Sequence, residues 1–245
     1  NLFHYPAMII HPSFDGDITS GNNASTGAHV LEEYTPGERA RTVARWTRGD
    51  EGYWRMGADG KPLTYVEAME FLDLGEDPTA YLTALQTGEI DVLELTSPDQ
   101  FLALRNDADV IVNPVATSQT QVLRFRADLE PWSDNRVRMA VKKLQQRLKM
   151  LDNIFFGEGI IGYDTHVSPV HPPFAPMDDI PYDPEGARAL LDEAGLETLD
   201  FTISVATGWE WVVGISETLV EDAKPAGVNI TLDTMPLSAY WDVWT

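Results

Sequence analysis

The sequence predicts an α/β fold, and three observations predict it. Two segments open on Asp-Pro and close on Gly, as capped helices do; several short runs alternate apolar and polar residues, as half-buried strands do; and the last third reads strand, helix, strand with short joints. The chain has 245 residues, enough for one large domain or two ordinary ones. Hydrophobic residues make up 43% of it, with seven Trp, eight Tyr and nine Phe, so a sizeable core is available.

Taken in order, the first ~35 residues are rich in Gly, Asn, Ser and Pro (Pro12, Gly16, Gly21, Asn22, Asn23) and read as mostly irregular surface. Strand-like runs lie at Val30–Tyr34, Ala40–Trp46 and Ala68–Leu74. Asp77 then offers an N-cap oxygen, Pro78 suits the first helical position, Tyr81, Leu82 and Leu85 form an apolar stripe, and Gly88 suits the residue past the end. That helix leads into Ile90–Leu95, expected as a buried strand. Val137, Val141, Leu144, Leu148 and Leu151 recur at intervals of three and four and predict one helix from about Val137 to Phe155. Its basic residues, Arg136, Arg138, Lys142, Lys143, Arg147 and Lys149, read as a solvated face, with an anion site as the sharper alternative.

A second Asp-Pro helix begins at Asp183-Pro184-Glu185, carries Ala187, Leu190, Leu191 and Ala194 on one face, and ends at Gly195. Phe201, Ile203 and Val205 alternate as a strand, Gly214 to Lys224 is helix-like up to Pro225 and Gly227, and Val228, Ile230 and Leu232 alternate again. This order predicts a βαβ unit with parallel strands and a right-handed crossover. In such sheets ligands bind beyond the carboxyl ends of the strands, which singles out the loop Thr207-Gly208-Trp209-Glu210-Trp211. Trp209 and Trp211 are either core residues at a helix start or stacking faces for a ligand, and Glu210 either pairs with a ligand cation or complements the helix dipole.

Charge narrows the function classes. The 39 acidic and 17 basic residues give −22, and the excess is spread evenly: residues 1–118 carry 7 basic and 19 acidic side chains, residues 119–245 carry 10 and 20. Such a surface repels phosphate backbones and anionic lipid heads, so nucleic acid and membrane surface are not expected partners. The absence of cysteine excludes disulfides, thiolate metal sites and cysteine nucleophiles. No run approaches the ~20 apolar residues of a membrane span. The start at Asn1 and the stop just after an aromatic cluster lead us to expect a processed or truncated piece.

Catalytic signatures are sparse: the chain has no G-x-S-x-G, H-E-x-x-H or Walker loop. His166 and His171, with Asp164, have the makings of a metal site only if the loop holds them on one centre; a hydrogen-bonding or plain surface histidine is the blander expectation. The acidic pairs Glu32-Glu33, Asp50-Glu51, Glu76-Asp77 and Asp178-Asp179 are expected in so acidic a surface, although a glycosidase also needs two carboxylates. Asn23-Ala24-Ser25 and Asn229-Ile230-Thr231 match the glycosylation acceptor pattern, which is common by chance.

Several segments, in this order, carry a family resemblance: Ser25-Thr26-Gly27, Val30-Leu31-Glu32-Glu33-Tyr34, Gly75-Glu76-Asp77-Pro78-Thr79, Leu85 to Val92, Asp134-Asn135-Arg136-Val137-Arg138, Phe156-Gly157-Glu158-Gly159, Val167-Ser168-Pro169, Tyr182-Asp183-Pro184-Glu185, Glu193-Ala194-Gly195 and Pro225 to Ile230. Together they resemble the middle portion of the solute-binding proteins of peptide-type (dipeptide/oligopeptide) ABC importers. The chain departs from the usual family pattern at Ala28-His29 and at Asp50-Glu51-Gly52 before Tyr53-Trp54.

The resemblance implies a two-lobed periplasmic-binding-protein-like architecture, incomplete relative to the full family, with residues 1–116 in the first lobe, 117–245 in the second and a hinge near 117–121. It implies a monomeric, non-enzymatic, cofactor-free receptor in the periplasm or another extracytoplasmic space, which delivers a small peptide to an ABC permease. Alternatives are an oligosaccharide receptor of the same fold, a glycosidase-type enzyme or a non-binding fragment. Ligand-facing candidates on the resemblance are Thr96, Gln119, Gln121, Arg124, His166, Trp209, Glu210 and Trp211.

Overall fold

The computed structural model describes residues 11–17, 27–48, 55–61, 64–75 and 77–244. Several residues singled out above lie outside them: Gly21 to Thr26 with the acceptor pattern at Asn23, Asp50 to Trp54, and Glu76. The described chain forms two compact units, Asn1–Tyr81 and Leu82–Thr245.

The first unit is an antiparallel sheet in the order β1 (His29–Thr35), β2 (Arg39–Ala44), β3 (Ala68–Leu72). Pro36-Gly37 turns the chain between β1 and β2; Gly37 has φ of 72°, a backbone conformation only glycine adopts freely, and the Glu38 amide closes the turn on the Thr35 carbonyl at 3.1 Å. Register sets the faces. Arg39 opposes Leu72 and Arg41 opposes Glu70 on one side, while Ala40 opposes Phe71 and Thr42 opposes Met69 on the other. Val30, Val43 and Ala44 are buried. β2 stops at Ala44, two residues short of the expected Trp46, because the chain turns into a 3-10 helix over Arg45–Arg48.

Helix α1 (Pro78–Thr87) spans the division between the units. Its start follows the Asp-Pro logic, with Asp77 Oδ1 accepting from the Thr79 amide at 2.8 Å, and Gly88 ends it at φ of 75°. The expected strand Ile90–Leu95 does not form. The amides of Glu89 and Ile90 fold back onto the Ala84 carbonyl, Val92 and Leu95 are 76% and 75% exposed, and among the described residues no strand lies alongside to take its backbone groups. A short helix α2 (Pro98–Leu104) follows, started by a capping box. Ser97 Oγ accepts from the Gln100 amide at 3.2 Å, and Gln100 Oε1 accepts from the Ser97 amide at 2.8 Å.

The single helix expected from Val137 to Phe155 is two helices, α3 (Asn135–Lys143) and α4 (Arg147–Phe155). The break resets the phase of the apolar stripe. Val137, Val141 and Leu144 are buried as expected, but Leu148 is 64% exposed and Met150 takes the buried place. Helix α5 (Pro184–Glu193) opens on Asp183, whose Oδ1 accepts from the Gly186 amide at 2.8 Å, and ends at Gly195 with φ of 79°.

Strands β4 (Leu199–Ala206) and β5 (Val228–Met235) pair in parallel over eight positions, from Leu199 opposite Val228 to Ala206 opposite Met235. Helix α6 (Glu210–Ala223) packs on both strands and begins four residues before the expected Gly214, so Glu210 and Trp211 are its first turn and Trp209 its N-cap residue. A last helix, α7 (Leu237–Val243), follows β5 and lies against β4. Pairs α3 with α5 and α4 with α6 enclose one core that includes Val137, Val141, Leu144, Leu191, Leu219, Val228 and Ile230. Among the described residues no helix is long and apolar enough to cross a membrane.

Candidate functional site

Parallel pairing brings the chain out of two neighbouring strands at the same end of the sheet. The residues after β4 and those after β5 therefore meet. Thr207 donates from its amide and its hydroxyl to the Met235 carbonyl, at 2.9 and 3.2 Å, which fixes the start of one segment against the end of the other. Trp209 follows β4; Tyr240, Trp241 and Trp244 come from α7 and its end. The Trp209 ring stands edge-on to Tyr240 at 5.8 Å and to Trp241 at 5.7 Å between centroids, and Trp244 adds tilted and edge contacts to Tyr240 and Trp241 at 5.6 and 5.8 Å. Trp209 is half-buried, yet Trp241 and Trp244 keep 49% and 41% of their surface accessible, so the cluster presents aromatic faces outward.

Arg124 reaches the same cluster from a different part of the chain. Residues 110–126 contain neither helix nor strand. Within that run Leu123 and Phe125 pack onto the core, the Phe125 ring tilted against Trp132 at 4.8 Å and Trp132 meeting Phe201 edge-on at 4.9 Å. Arg124, between them, is exposed, and its guanidinium carbon lies 4.2 Å from the centroid of the Trp244 ring. Burial pushes the Tyr240 phenol above its ordinary value, and the positive charge of Arg124 pulls it back, which places the two groups within electrostatic reach.

Of the eight sequence-derived candidates, the structure joins Arg124 and Trp209 in this cluster, and Glu210 (exposed) and Trp211 (half-buried) continue from Trp209 as the first turn of α6. Thr96 stands just before the cap of α2, Gln119 and Gln121 lie in the extended run, and His166 lies in a loop; all four are exposed, and among the described residues no hydrogen bond or ring contact ties them to the cluster. Tyr240, Trp241 and Trp244 were not candidates. Their signal was available in the sequence as an aromatic helix directly after the second strand of the βαβ unit.

Other features of the sequence find different uses. The basic residues of α3 and α4 are committed to protein acceptors: Arg136 to Asp134 at 2.6 Å, Arg138 to the carbonyls of Trp132 and Ser133, Lys143 to Asp183 at 2.8 Å, Arg147 to Asp164 and Asp179, and Lys149 to Asp222 at 2.5 Å. With Lys142, which faces Asp164, they tie elements together, and among the described residues the anion-site alternative has no free cation there. His171 Nδ1 is taken by the amide and hydroxyl of Ser168, both at 3.0 Å, and Asp164 by Arg147 and Lys142, so two members of the imagined metal site are engaged elsewhere. Among the described residues no group of three acidic or histidine side chains is placed to hold a metal. The run Gly157-Glu158-Gly159-Ile160-Ile161-Gly162 has dinucleotide-loop spacing, but it follows the end of α4 and opens no helix, so the context that gives that motif its meaning is missing.

Among curated proteins the chain is similar to di/tripeptide-binding protein 2 of Pseudomonas aeruginosa, at 29% identity over 208 residues, covering 79% of this chain and 35% of that protein. It is similar to the peptide transport periplasmic protein SapA of Salmonella typhimurium at 28% identity over 213 residues, covering 84% and 36%. Among solved structures, NikZ from Campylobacter jejuni in complex with Ni(L-His) superposes with a TM-score of 0.72 at 18% identity, over 87% of this chain and 43% of that one. The dipeptide-binding protein from Pseudoalteromonas sp. SM9913 in complex with Met-Leu gives 0.68 at 19% identity, over 88% and 41%. These likenesses fix the fold as that of periplasmic binding proteins, and the chain spans about a third of the length of these curated relatives. The family-wide pattern is matched along residues 1–245, and the chain therefore belongs to the bacterial extracellular solute-binding proteins, family 5, as their middle segment.

Proposed function

We propose that this chain is the middle part of an extracytoplasmic receptor that binds a small peptide without transforming it and presents it to an ABC permease. The single observation that carries the reading is the aromatic cluster at the carboxyl end of the parallel pair, where Trp209, Tyr240, Trp241 and Trp244 offer stacking faces beside a cation. The peptide class is supported by the names of two relatives, a di/tripeptide-binding protein and a peptide transport protein. Trp209, Glu210, Trp211 and Arg124 form one ligand wall in this reading, and Thr96, Gln119, Gln121 and His166 complete the contact set. Residues up to about Ala116 belong to one lobe and 117–245 to the other; the helix- and strand-free run 110–126 supports a connection near Thr117–Gln121. The receptor acts as a monomer.

A thermal-shift screen of the intact protein against dipeptides, tripeptides and oligosaccharides tests this. Peptides should raise the melting temperature, as any ligand specific for the native state does. Trp209→Ala and Trp211→Ala should then weaken peptide affinity about tenfold or more while lowering stability less. Stabilisation by oligosaccharides alone, or a large stability loss with unchanged affinity, would sink the proposal.

A further inference from the structure

The chain carries 39 acidic side chains, and most of its arginines are held by them or by backbone carbonyls. Arg39 pairs with Glu33, Arg41 with Glu32 and Glu70, Arg126 with Asp128, Arg136 with Asp134, Arg147 with Asp164 and Asp179, and Arg188 with Asp192. Arg124 differs. Among the described residues its guanidinium donates to no carboxylate and no carbonyl, and its only partner is the face of Trp244. With its guanidinium carbon over the Trp244 ring and no oxygen acceptor on its N–H groups among the described residues, Arg124 keeps donors for a carboxylate, which a guanidinium can take through two parallel hydrogen bonds. The Arg124 backbone is fixed on either side by Leu123 and Phe125 in the core, so the cation is presented rather than adrift. The Trp244 ring beneath it contacts Trp241 in turn, and both rings remain accessible.

We propose that Arg124, seated on Trp244, is an anion subsite that binds the carboxylate of a ligand whose adjoining apolar or aromatic group rests on the Trp209–Trp241–Trp244 rings. The proposal rests on the reading of this cluster as a ligand wall and adds the polarity of the ligand end that faces it. A single guanidinium matches the single charge of a carboxylate. A phosphate dianion would keep an unmatched charge in the field of a chain of net charge −22. The neutral rings next to the cation give area without repelling the acid, and they lower the local exposure to water that would otherwise weaken the pair.

The test is tryptophan-fluorescence titration of the intact protein with 3-phenylpropionate, Ala-Phe and Ala-Ala-Phe, each against its own amide, and with phenyl phosphate. Each acid should bind about tenfold or more tightly than its amide, the usual size of one hydrogen-bonded charge. Arg124→Gln should abolish that preference with the melting temperature unchanged, since the side chain is exposed, and Arg124→Lys should restore part of it. Equal binding of acids and amides, reduced by Trp209→Ala but untouched by Arg124→Gln, overturns the subsite and leaves the ligand wall standing. Binding of none of the probes overturns both. Phenyl phosphate binding more tightly than 3-phenylpropionate overturns the assignment to a carboxylate.

Discussion

The three-stranded sheet of the first unit and the helix-covered strand pair of the second are stabilised by different means. In the sheet, burial is confined to Val30, Val43 and Ala44; Tyr34, Met69 and Phe71 remain 37%, 37% and 55% exposed on one face, and the other carries the charge ladder Glu33–Arg39 and Glu32–Arg41–Glu70. In the second unit Leu144, Leu191 and Val141 are wholly removed from water, and the buried set is continuous through α3, α5, α6, β4 and β5. Apolar burial scales with area and resists salt, whereas exposed ion pairs contribute little and are screened. The difference teaches which unit can hold a rigid wall. The aromatic cluster follows directly on β4 and β5, two strands of that packed set, while α7 itself buries no residue.

The largest expected contrast is in the cores. Leu191→Ala should cost about 3–4 kcal/mol, since a fully buried leucine loses its transfer energy and leaves a cavity. Val43→Ala in the sheet should cost about 1.5 kcal/mol, two methyl groups at partial relief. Urea unfolding followed by circular dichroism reads both, and equal costs would end the distinction.

A middle-sized contrast lies in the ion pairs. Asp222 is 4% exposed, accepts from Lys149 Nζ at 2.5 Å and from Gln146 Nε2 at 2.9 Å, and joins α4 to α6; its Oδ2 is buried without a partner among the described residues. Lys149→Ala leaves that carboxylate without its cation and should cost on the order of 2–3 kcal/mol. Arg41→Ala, in the exposed ladder, should cost less than about 1 kcal/mol and should matter even less at high salt. Comparable losses at low and high salt for both variants would mean that the ladder of the sheet is as shielded as the α4–α6 pair.

What the sequence made legible follows the same division between local and distant causes. Asp77-Pro78, Asp183-Pro184, Gly88 and Gly195 act within a few residues of themselves, and each does in the structure what its type predicts. The parallel pair was legible because alternation and short joints leave little choice of topology. Ile90–Leu95 failed because an apolar run becomes a strand only beside a partner, and a partner is not a property of the run. The break between α3 and α4 escaped because Leu144 and Leu148 keep helical spacing across residues that leave the helix. At the site, Trp209 followed from topology, but its neighbours Tyr240, Trp241 and Trp244 come from a helix whose place depends on β5, and Arg124 meets Trp244 across 120 residues of chain.

The smallest effect concerns acid. Asp134 and Asp183 cap α3 and α5, and both titrate below the ordinary carboxylate range. For Asp134 the first cause is the side-chain hydrogen bond from Arg136, then the Arg136 amide; for Asp183 it is the hydrogen bond from Lys143, then the Gly186 amide. A depressed folded-state value means that the unfolded chain binds more protons, so the contribution is present above the unfolded value near pH 4 and is lost as pH falls through the folded one. Asp134→Asn with Asp183→Asn keeps an acceptor at each cap and removes the titration. The stability of the second unit should then fall less steeply below about pH 4 than in the parent, while a variant in the sheet ladder, Arg39→Gln, leaves that limb unchanged. The raised value of Arg39 lies far above this range, and its loss belongs to the alkaline side. Melting temperatures from pH 2 to 7 check the comparison, and an acid limb identical in parent and double variant would show that the caps hold their helices as well protonated as ionised.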